Sequence, residues 1–407
     1  MYNDVKKILE KYGQTHLLKY YNELSSENQV KLLNQINSID FSLLSLLDNK
    51  EHKVEKGKLE PLGALTINEI EQKKDEFLAA GLDAIRKGKV GAVLLAGGQG
   101  TRLGFDKPKG MLNVGITKTL YLFECLINNI MAVVKQADAW IPLFIMTSEK
   151  NNDDTVNFFE ENNYFGYNKD YVSFFIQEMA PCVDYNKKIF LEAKDRVASS
   201  PNGNGGWFSS LKKAGLSDKI ERDGIEWLNV FAVDNVLQKI ADPCFIGAVI
   251  ATGSQSGAKV VSKAAPDEKV GVLCLEDGRP SIVEYYEMTE EMTTLRDESG
   301  RLAYNYGVIL NYLFRVDSLE DSVGKTLPVH VVEKKIPYID ENGSYIKPEK
   351  PNGYKFETLV LDMVHMQDNC LSYEVVRNKE FAPIKNKTGV DSLESARELM
   401  KENGIEL

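Results

Sequence analysis

One stretch of this chain, residues 94–111, has the sequence LLAGGQGTRLGFDKPKGM and decides the fold of the region around it. It continues an apolar run, Val90–Ala96, whose uncharged, β-branched and leucine-rich composition is typical of a strand buried on both faces. A turn rich in glycine follows at once, at positions 97, 98, 100 and 104. A buried strand that ends in such a turn predicts a parallel sheet with its ligand at the carboxyl ends of the strands.

The loop after this strand also carries three cations, Arg102, Lys107 and Lys109. Glycine lets the backbone approach a phosphate or a base closely and leaves N–H groups free to donate hydrogen bonds. Arginine and lysine supply the positive charge that a polyphosphate requires. The combination predicts a nucleotide site, with the backbone of Gly97 and Gly98 available to the base.

Three interpretations of this loop compete. A purely structural glycine turn does not explain why cations follow the glycines so closely. A dinucleotide-binding turn fits poorly, because position 103, where the G-x-G-x-x-G pattern requires glycine, holds leucine. The loop also lacks the Gly-Lys-Ser/Thr ending of a phosphate-binding P-loop. A nucleotidyltransferase signature, G-G-x-G-T-R-L followed by P-K, accounts for both the glycines and the cations.

Further motifs follow the loop along the chain. They are Gln177–Met179, Pro201–Gly206, Val233–Leu237, Ala241–Gly247, Val283–Tyr285, Lys334–Tyr338, Lys347–Pro348, Lys350–Gly353 and Phe381–Asn386. In this order the chain resembles the uridylyl-transferring sugar-nucleotide pyrophosphorylases, specifically the eukaryotic-type UDP-N-acetylglucosamine pyrophosphorylases, over residues 94–385. The resemblance implies a transferase that is Mg²⁺-dependent and joins UTP to N-acetylglucosamine 1-phosphate, with release of pyrophosphate.

The pattern of apolar residues divides the chain into three regions. Residues 1–88 are charged, with apolar residues at helical spacing, and predict an N-terminal helical region that includes a helix over Glu69–Arg86. From residue 89 to 388, strands alternate with helices, which predicts an α/β catalytic domain with a mostly parallel, doubly wound (Rossmann-like) nucleotidyltransferase sheet. Residues 389–407 predict a short tail with a helix over Asp391–Glu402.

The predicted elements of the catalytic domain follow from local composition. The predicted strands are Ile141–Thr147, Val172–Ile176, Trp227–Val233, Lys259–Ser262, Gly271–Leu275 and Ser281–Tyr286. The predicted helices are Tyr121–Lys135, Asn152–Asn162 and Asn235–Ile240. Because the glycine loop and Asp234 each follow a predicted strand directly, we expect them to face the same cleft.

The composition excludes several classes of protein. Hydrophobic residues make up 43% of the 407 residues and charged residues 27%, which excludes a wholly disordered chain. The net charge of −11 argues against nucleic-acid partners and anionic membranes. No apolar run is long enough for a membrane span, the first residues do not resemble a signal peptide, and the five scattered cysteines indicate reduced thiols. We therefore expect a cytoplasmic enzyme.

The implied reaction is attack by the sugar 1-phosphate on the α-phosphorus of UTP. Its nucleophile is already an anion, so catalysis needs charge neutralisation, a metal and in-line positioning rather than a general base. Arg102 and Lys109 are expected to meet the departing pyrophosphate. By resemblance Lys385 is also catalytic, and Lys355 reaches a phosphate group.

Asp234 has two interpretations. It ends the apolar strand Trp227–Val233, where a carboxylate beside a phosphate loop suits an Mg²⁺ ligand. It also precedes the predicted helix Asn235–Ile240, and aspartate is a common helix cap. The resemblance favours the metal and nucleotide role.

The remaining substrate residues are assigned by resemblance. Gln177 has an amide that is both donor and acceptor and is expected to contact uracil, together with the backbone of Gly97, Gly98 and Gly203. Asn204, in the turn-rich run Pro201–Gly206, offers a second amide to the ligand. The sugar is assigned to Glu284, Tyr285 and Asn305, and Gly271 is assigned to substrate binding. Taken alone, each of these polar residues could equally lie on a solvated surface.

Two features depart from the family pattern. Relatives continue past the Pro-x-Lys-Asn block into a further segment, and this chain stops at Leu407, so we expect a monomer. Asn305 is followed by Tyr306, where many relatives have a small residue, which leaves the choice of sugar open. Alternation along a strand would turn Tyr306 away from Asn305, and this favours N-acetylglucosamine 1-phosphate over glucose 1-phosphate.

Three alternative functions stay open at this point. The first is a UDP-glucose or broad-specificity UDP-sugar pyrophosphorylase. The second is a nucleotide-sugar-binding regulator without catalysis, against which the intact Arg102, Lys109, Asp234 and Lys385 argue. The third and most distant is a dinucleotide-dependent oxidoreductase, which the imperfect glycine pattern disfavours.

Overall fold

A computed structural model of the chain describes residues 1–48, 56–322 and 327–407. Within these ranges the helices are α1 (Tyr2–Lys11), α2 (Ser26–Asn37), α3 (Ile67–Gln72), α4 (Lys74–Arg86), α5 (Leu122–Ala137), α6 (Asn152–Glu161), α7 (Trp207–Lys213), α8 (Ser217–Arg222), α9 (Pro243–Ala251), α10 (Glu290–Thr294), α11 (Val316–Ser322), α12 (Val360–His365), α13 (Arg377–Glu380) and α14 (Leu393–Glu402).

The strands of the same ranges are mostly short outside the central sheet. They are β1 (Leu59–Pro61), β2 (Val90–Leu95), β3 (Leu143–Thr147), β4 (Val172–Ile176), β5 (Met179–Pro181), β6 (Val183–Asp184), β7 (Leu191–Ala193), β8 (Arg196–Val197), β9 (Ser199–Pro201), β10 (Trp227–Ala232), β11 (Ser256–Ser262), β12 (Val272–Glu276), β13 (Arg279–Val283), β14 (Tyr306–Arg315), β15 (His330–Lys334), β16 (Tyr338–Ile339), β17 (Tyr345–Ile346), β18 (Gly353–Glu357) and β19 (Cys370–Glu374).

The chain divides into two compact units. The first combines residues 1–55, 178–206 and 327–360, and the second combines residues 56–177, 207–326 and 361–407. The boundaries predicted from the sequence, after residues 88 and 388, do not coincide with this division. Helices α3 and α4 of the predicted helical region and α14 of the predicted tail all belong to the second unit.

The second unit contains a ten-stranded sheet. Its main path is β1-β12-β14-β10-β2-β3-β4, with β11 beside β14 and β19, and β13 beside β12. Strands β10, β2, β3 and β4 are parallel neighbours in that order, and β11 is parallel to β19. Strand β14 runs antiparallel to β10 and β11. The predicted α/β class is confirmed, and antiparallel strands extend its parallel part.

Burial explains why the central strands could be predicted from their apolar composition. Every residue of β2 and of β3 is buried, as the uninterrupted apolar runs predict. Helices α4 and α9 cross at close range. A Cβ added at Gly81 would lie 1.8 Å from the carbonyl oxygen of Pro243, and a Cβ added at Gly247 would lie 1.7 Å from the carbonyl oxygen of Phe77. Glycine at these two positions therefore allows the backbones to touch.

Three of the predicted elements need correction. The helix expected over Glu69–Arg86 is two helices, α3 and α4, which meet at Lys73. The strand expected over Ser281–Tyr286 ends at Val283 and gives way to a turn. The helix expected over Asn235–Ile240 does not form, because side chains satisfy the backbone groups of this segment.

The first unit combines α1 and α2 with small sheets. Strand β18 pairs with β15 and β6 in a three-stranded antiparallel sheet. Val5 and Leu9, four residues apart on one face of α1, are buried with Ile36 of α2 in a core that also includes Val183 and Phe356. None of the helices in the part of the chain that the structure describes is both long and apolar enough to cross a membrane.

Candidate active site

The glycine loop folds back on itself after β2. Gly100 N–H donates to the Lys107 carbonyl at 3.0 Å, and Lys109 N–H donates to the Gly98 carbonyl at 3.3 Å. These bonds return Lys109 to the start of the loop. Gly104 closes the short 3₁₀ turn that carries Arg102 with a φ of +73°, a conformation that glycine adopts without strain.

Gln177 covers the loop at Gly97. A Cβ added at Gly97 would lie 2.0 Å from Gln177 Nε2, so the glycine is required where the carboxamide rests on the backbone. Gln177 follows β4, two strands from β2, and its N–H donates to the Thr147 carbonyl at 2.9 Å. Its side chain is buried, and its carboxamide has no hydrogen-bond partner among the described residues. Gln177 therefore lies beside the glycine loop, and its contact with uracil stays a prediction.

The neighbouring glycine, Gly98, is open on its outer side. A Cβ added there would meet no atom within 4 Å, and the residue is exposed. Gly97 and Gly98 thus differ, since the Gln177 carboxamide covers the first, whereas the N–H of the second has no partner among the described residues and can donate to a ligand.

Asn151 holds the loop from below and was not anticipated from the sequence. Its Nδ2 donates to the Ala96 carbonyl at 2.9 Å, and its Oδ1 accepts from Ser148 N–H at 2.7 Å. The side chain is fully buried. A polar residue four positions past the buried strand β3, beside the strand of the glycine loop, was the available signal.

Asp234 lies in a turn that directly follows β10. The interpretation of Asp234 as a helix cap is wrong, because the next helix is α9, which begins at Pro243 with Asp242 as its cap. The Asp234 carboxylate accepts no hydrogen bond from the described residues. Its nearest charged neighbour is Lys109, whose Nζ lies 3.9 Å from Asp234 Oδ2. Both side chains are mostly buried, so they are partly withdrawn from water.

Side chains hold the buried, irregular backbone of residues 233–242. Asn129 Nδ2 donates to the carbonyls of Val236 and Gln238, each at 3.0 Å. Gln238 Nε2 donates to the Ala232 carbonyl at 2.7 Å, and Asn229 Oδ1 accepts from Ala241 N–H at 2.7 Å. Buried backbone groups outside regular structure need such partners, and here they fix the loop that carries Asp234.

Lys385 reaches the same place from a distant part of the chain. Residues 382–384 lie antiparallel to residues 234–236, with Asn235 bridged to Pro383 and Ile384 N–H donating to the Asp234 carbonyl at 2.9 Å. The Nζ of Lys385 lies 3.8 Å from Asp391 Oδ2. The segment that carries Lys385 thus contacts the turn that carries Asp234, and the roles of both residues toward the substrates stay predictions.

The cations of the site act on one another. Burial lowers the pKa of the Lys109 ammonium below its ordinary value of 10.5, Lys385 and Arg102 lower it further, and Asp234 opposes them. Arg102 is exposed and forms no ion pair with a described residue. Lys109 thus has two further cations, Lys385 and Arg102, within electrostatic reach, and such a group of cations suits a polyphosphate.

Glu284 borders this charged group. Burial raises the pKa of its carboxyl group, Glu287 raises it further, and Lys385 opposes the shift. A Cβ added at Gly271 would lie 3.4 Å from Glu284 Oε1, so glycine leaves room for the carboxylate. Tyr285 follows in the turn and is exposed. The structure thus brings Gly271 and Glu284 together and places Glu284 within electrostatic reach of Lys385.

Asn305 has a partner of its own. Its Nδ2 donates to Ser262 Oγ at 3.1 Å, and its carbonyl accepts from Lys263 N–H at 2.9 Å. Strand β14 begins at Tyr306, whose ring is buried. Among the described residues, no hydrogen bond or ion pair joins Asn305 to Glu284. Its assignment to the sugar stays a prediction.

The remaining assigned residues lie in the first unit. Gly203 has a φ of +91°, and a Cβ added there would lie 2.1 Å from the Thr358 carbonyl oxygen. Asn204 Oδ1 accepts from Val360 N–H at 3.0 Å. The run Pro201–Gly206 is therefore packed against residues 358–360. Lys355 lies on β18 opposite Val332. The substrate contacts of Gly203, Asn204 and Lys355 stay predictions.

Comparisons with known proteins identify the family of this chain. The profile of the UTP–glucose-1-phosphate uridylyltransferase family matches residues 40–404. The human UDP-N-acetylhexosamine pyrophosphorylase-like protein 1 is 37% identical, over 95% of this chain and 81% of its own. The UDP-N-acetylglucosamine pyrophosphorylase of Saccharomyces cerevisiae is 36% identical, over 95% and 86% respectively.

Solved structures extend the likeness to the whole fold. The uridine diphosphate N-acetylglucosamine pyrophosphorylase of Trypanosoma brucei, crystallised with an inhibitor, superposes with a TM-score of 0.83. It is 28% identical, and the match covers 96% of this chain and 82% of that one. The glycine loop, the Asp234 turn and the Lys385 segment all lie within the residues that the family profile matches. The chain belongs to the UTP–glucose-1-phosphate uridylyltransferase family.

Proposed function

We propose that this chain transfers the uridylyl group of UTP to N-acetylglucosamine 1-phosphate, forming UDP-N-acetylglucosamine and pyrophosphate. The observation that carries the proposal is the grouping of Arg102 and Lys385 within electrostatic reach of Lys109, whose Nζ lies 3.9 Å from the Asp234 carboxylate. The names of the yeast and trypanosome relatives support the choice of both substrates. The family membership supports an enzyme rather than a non-catalytic regulator.

The reaction is an in-line displacement at phosphorus. A phosphate oxygen of the sugar 1-phosphate bonds to the α-phosphorus of UTP, and the bond from that phosphorus to the oxygen bridging to the β-phosphate breaks. The electron pair leaves with pyrophosphate. Lys385 reduces the repulsion between the two anions, and Arg102 and Lys109 neutralise the charge that develops on the leaving group. No side chain needs to remove a proton, since the nucleophile is already ionised.

The base is assigned to the glycine loop and Gln177. Uracil presents two carbonyl acceptors and one N–H donor, and a carboxamide can donate to the first and accept from the second. Gln177 has this capacity free among the described residues, and the exposed backbone of Gly98 adds to it. A buried amide without a partner rejects bases that cannot complete its hydrogen bonds.

Asp234 is the proposed ligand of Mg²⁺. Magnesium is often held by one or two carboxylates together with substrate phosphates, so one protein carboxylate beside a phosphate site fits this ion. The carboxylate is also free of hydrogen bonds from the described residues, which leaves both oxygens available. Bound Mg²⁺ would supply further neutralisation of the α-phosphate.

The sugar is assigned to Glu284 and Asn305. Glu284 can accept hydrogen bonds from sugar hydroxyl groups and lies within reach of the Lys385 charge. The amide of Asn305 was expected to read the acetamido group, and its Nδ2 is already bonded to Ser262. This contact favours a second candidate, a UDP-glucose or broad UDP-sugar pyrophosphorylase. We keep the N-acetyl sugar first because of the relatives' names.

A pyrophosphate-release assay tests the proposal. The purified chain would be given UTP, CTP or ATP with each of N-acetylglucosamine, N-acetylgalactosamine, glucose and galactose 1-phosphate, at several Mg²⁺ concentrations. We expect release only with UTP, a higher kcat/KM for the N-acetyl sugar, and no release after chelation of the metal. Binding of UTP without release would select the non-catalytic regulator, and equal or better kcat/KM with glucose 1-phosphate would select the second candidate.

We also propose a cytoplasmic monomer. The net charge of −11 gives copies of the chain no general attraction for one another. The five cysteines, all within the part of the chain that the structure describes, form no disulfide there, which is consistent with a reducing compartment. Analytical ultracentrifugation at micromolar protein is expected to give a single species of about the chain mass of 45.7 kDa. A stable dimer would contradict the expectation.

A further inference from the structure

A fully buried lysine lies outside the group of residues that meets the substrates. Lys259, on β11, has a side chain with no exposed surface. Its Nζ lies 2.8 Å from Asp242 Oδ2 and 2.6 Å from Glu380 Oε2. It also donates to the carbonyl of Lys239 at 3.3 Å. We call Lys259, Asp242 and Glu380 the buried triad.

The backbone at Lys259 is shaped for this contact. Strand β11 shifts its register against β14 between Ala258 and Val260, so the irregularity falls at Lys259. Such a bulge re-aims a side chain that the regular alternation would send elsewhere. Burial acts to lower the pKa of the lysine, and the two carboxylates outweigh it, so its pKa is raised and it stays charged.

A buried triad is not explained by stability alone. Removing charged groups from water costs free energy that their mutual attraction only partly returns, and well-packed apolar residues of similar volume are often at least as stable. Hydrogen bonds between charged groups depend on direction and distance, so a buried triad fixes the relative positions of the chain segments that carry it.

Both carboxylates of the triad belong to segments that carry site residues. Asp242 ends the irregular loop that begins at Asp234. Glu380 lies five positions before Lys385, and its carbonyl accepts from Asn235 Nδ2 at 2.8 Å. Asn235 Oδ1 in turn accepts from Ala382 N–H at 2.9 Å. The triad therefore connects, through a few hydrogen bonds, the two pieces of chain on which Asp234 and Lys385 are mounted.

We propose that Lys259 is a positioning residue for the transfer reaction, which clamps the Asp242 and Glu380 segments together and so sets the place of the Lys385 ammonium relative to Asp234. The proposal rests on the proposed function, since it requires Lys385 to act on the reacting phosphates. A displacement of about 1 Å in a catalytic group can reduce a rate by about a hundredfold. Loss of the clamp thus lowers turnover without removing any group that meets the substrates.

A double-mutant cycle tests this role. The full chain is prepared as Lys259→Met, Lys385→Ala and the double variant, and kcat and KM are measured by pyrophosphate release. We expect Lys259→Met to lower kcat by about tenfold to a hundredfold, with the KM for UTP changed by less than about threefold. In the Lys385→Ala background the same change lowers kcat by less than about threefold, because the group it positions is already gone.

A control variant separates positioning from loss of stability. Leu319→Ala removes a fully buried side chain on α11, in the same unit and away from the triad. We expect it to lower the melting temperature while kcat, measured well below that temperature, stays close to that of the wild type. Glu380→Gln serves as a milder variant in the same cycle if Lys259→Met does not fold, since Lys259 then keeps its bond to Asp242.

Two results would overturn the proposal. The first is an equal loss of kcat in the Lys385 and Lys385→Ala backgrounds, which would show that Lys259 does not act through Lys385. The second is a loss of kcat in Leu319→Ala as large as in Lys259→Met at a matched melting temperature. Absence of pyrophosphate release from the wild-type chain would instead contradict the proposed function.

Discussion

The nucleotide side and the sugar side of the candidate site are organised differently. On the nucleotide side, the side chains of Gln177, Asp234 and Arg102 have no hydrogen-bond partner among the described residues, while hydrogen bonds from other side chains hold the backbone of the two loops. On the sugar side, Asn305 is bonded to Ser262, and Glu284 lies in a turn. The polar side chains of the nucleotide side are thus available to a ligand, whereas on the sugar side the Asn305 amide already donates a hydrogen bond to Ser262.

Strand direction accounts for part of this difference. Strands β10, β2, β3 and β4 are parallel, so the residues that follow them meet at one edge of the sheet. Glu284 and Asn305 instead flank the antiparallel strands β13 and β14. We therefore expect substitutions on the nucleotide side to have the larger effects.

The largest effect is expected from the cations of the glycine loop. Arg102→Ala and Lys109→Ala each remove charge that we propose to meet the departing pyrophosphate, and we expect each to raise the barrier by about 3–4 kcal/mol, or to lower kcat by about a hundredfold or more. The affinity for UDP-sugar should change much less. Lys107→Ala is the matched control, since Lys107 is exposed and paired with Asp154 at 3.1 Å.

Steady-state kinetics of the three loop variants would check this prediction. Near-normal kcat in both Arg102→Ala and Lys109→Ala would remove these residues from the catalytic group. A loss in Lys107→Ala as large as theirs would indicate that the loop responds to total charge rather than to position.

The next effect concerns Asp234→Asn, which keeps the shape of the side chain and removes its charge. We expect kcat at low Mg²⁺ to fall by about a hundredfold, and to recover in part at high Mg²⁺, because a neutral amide is a weaker ligand. A titration of rate against Mg²⁺ measures this shift. A metal dependence like that of the wild type would contradict the assignment of Asp234 as a ligand.

A smaller effect is expected at the base. Gln177→Ala removes hydrogen bonds worth about 1–2 kcal/mol, so the KM for UTP should rise by about tenfold while discrimination against CTP weakens. The KM for the sugar 1-phosphate serves as the internal control and should not change. An unchanged KM for UTP would show that Gln177 only covers Gly97.

The smallest effect is expected on the sugar side. Asn305→Ala should reduce the preference for the N-acetyl sugar by only about threefold, in line with one neutral hydrogen bond, because its Nδ2 already bonds to Ser262. The ratio of kcat/KM for the two sugar 1-phosphates measures it, with Ser262→Ala as the control for the internal bond. Complete loss of the preference would show that Asn305 makes the main contact with the acetamido group. The sugar side would then be as sensitive to substitution as the nucleotide side.

Several features of this protein could be predicted from its sequence. Residues Val90–Leu95 of the predicted run and residues Val172–Ile176 are strands in the structure, and Gln177 and Asp234 follow their strands as expected. These predictions succeed because a strand buried on both faces must be apolar throughout. The glycine loop and its cations are equally local features, since all of them lie within residues 97–109.

Other features depend on contacts between distant residues. The sequence predicted a helix over Asn235–Ile240, and the structure has an irregular loop held by Asn129 and Asn229. Asn151 and Lys259 carried no recognisable motif, although each is fully buried and hydrogen-bonded. A buried polar residue looks like a surface residue in the sequence, because only its partners distinguish the two.

What the sequence predicts and what only the tertiary structure shows thus differ for a physical reason. Apolar strands and the glycine-rich turn are specified by neighbouring residues, so the sequence by itself determined the α/β class, the glycine loop and the identity of its cations. Lys385 meets Asp234 through contacts that span 150 or so positions of chain, as in the bond from Ile384 N–H to the Asp234 carbonyl. Only the tertiary structure decides such contacts, because buried hydrogen-bonding groups choose partners by proximity in space.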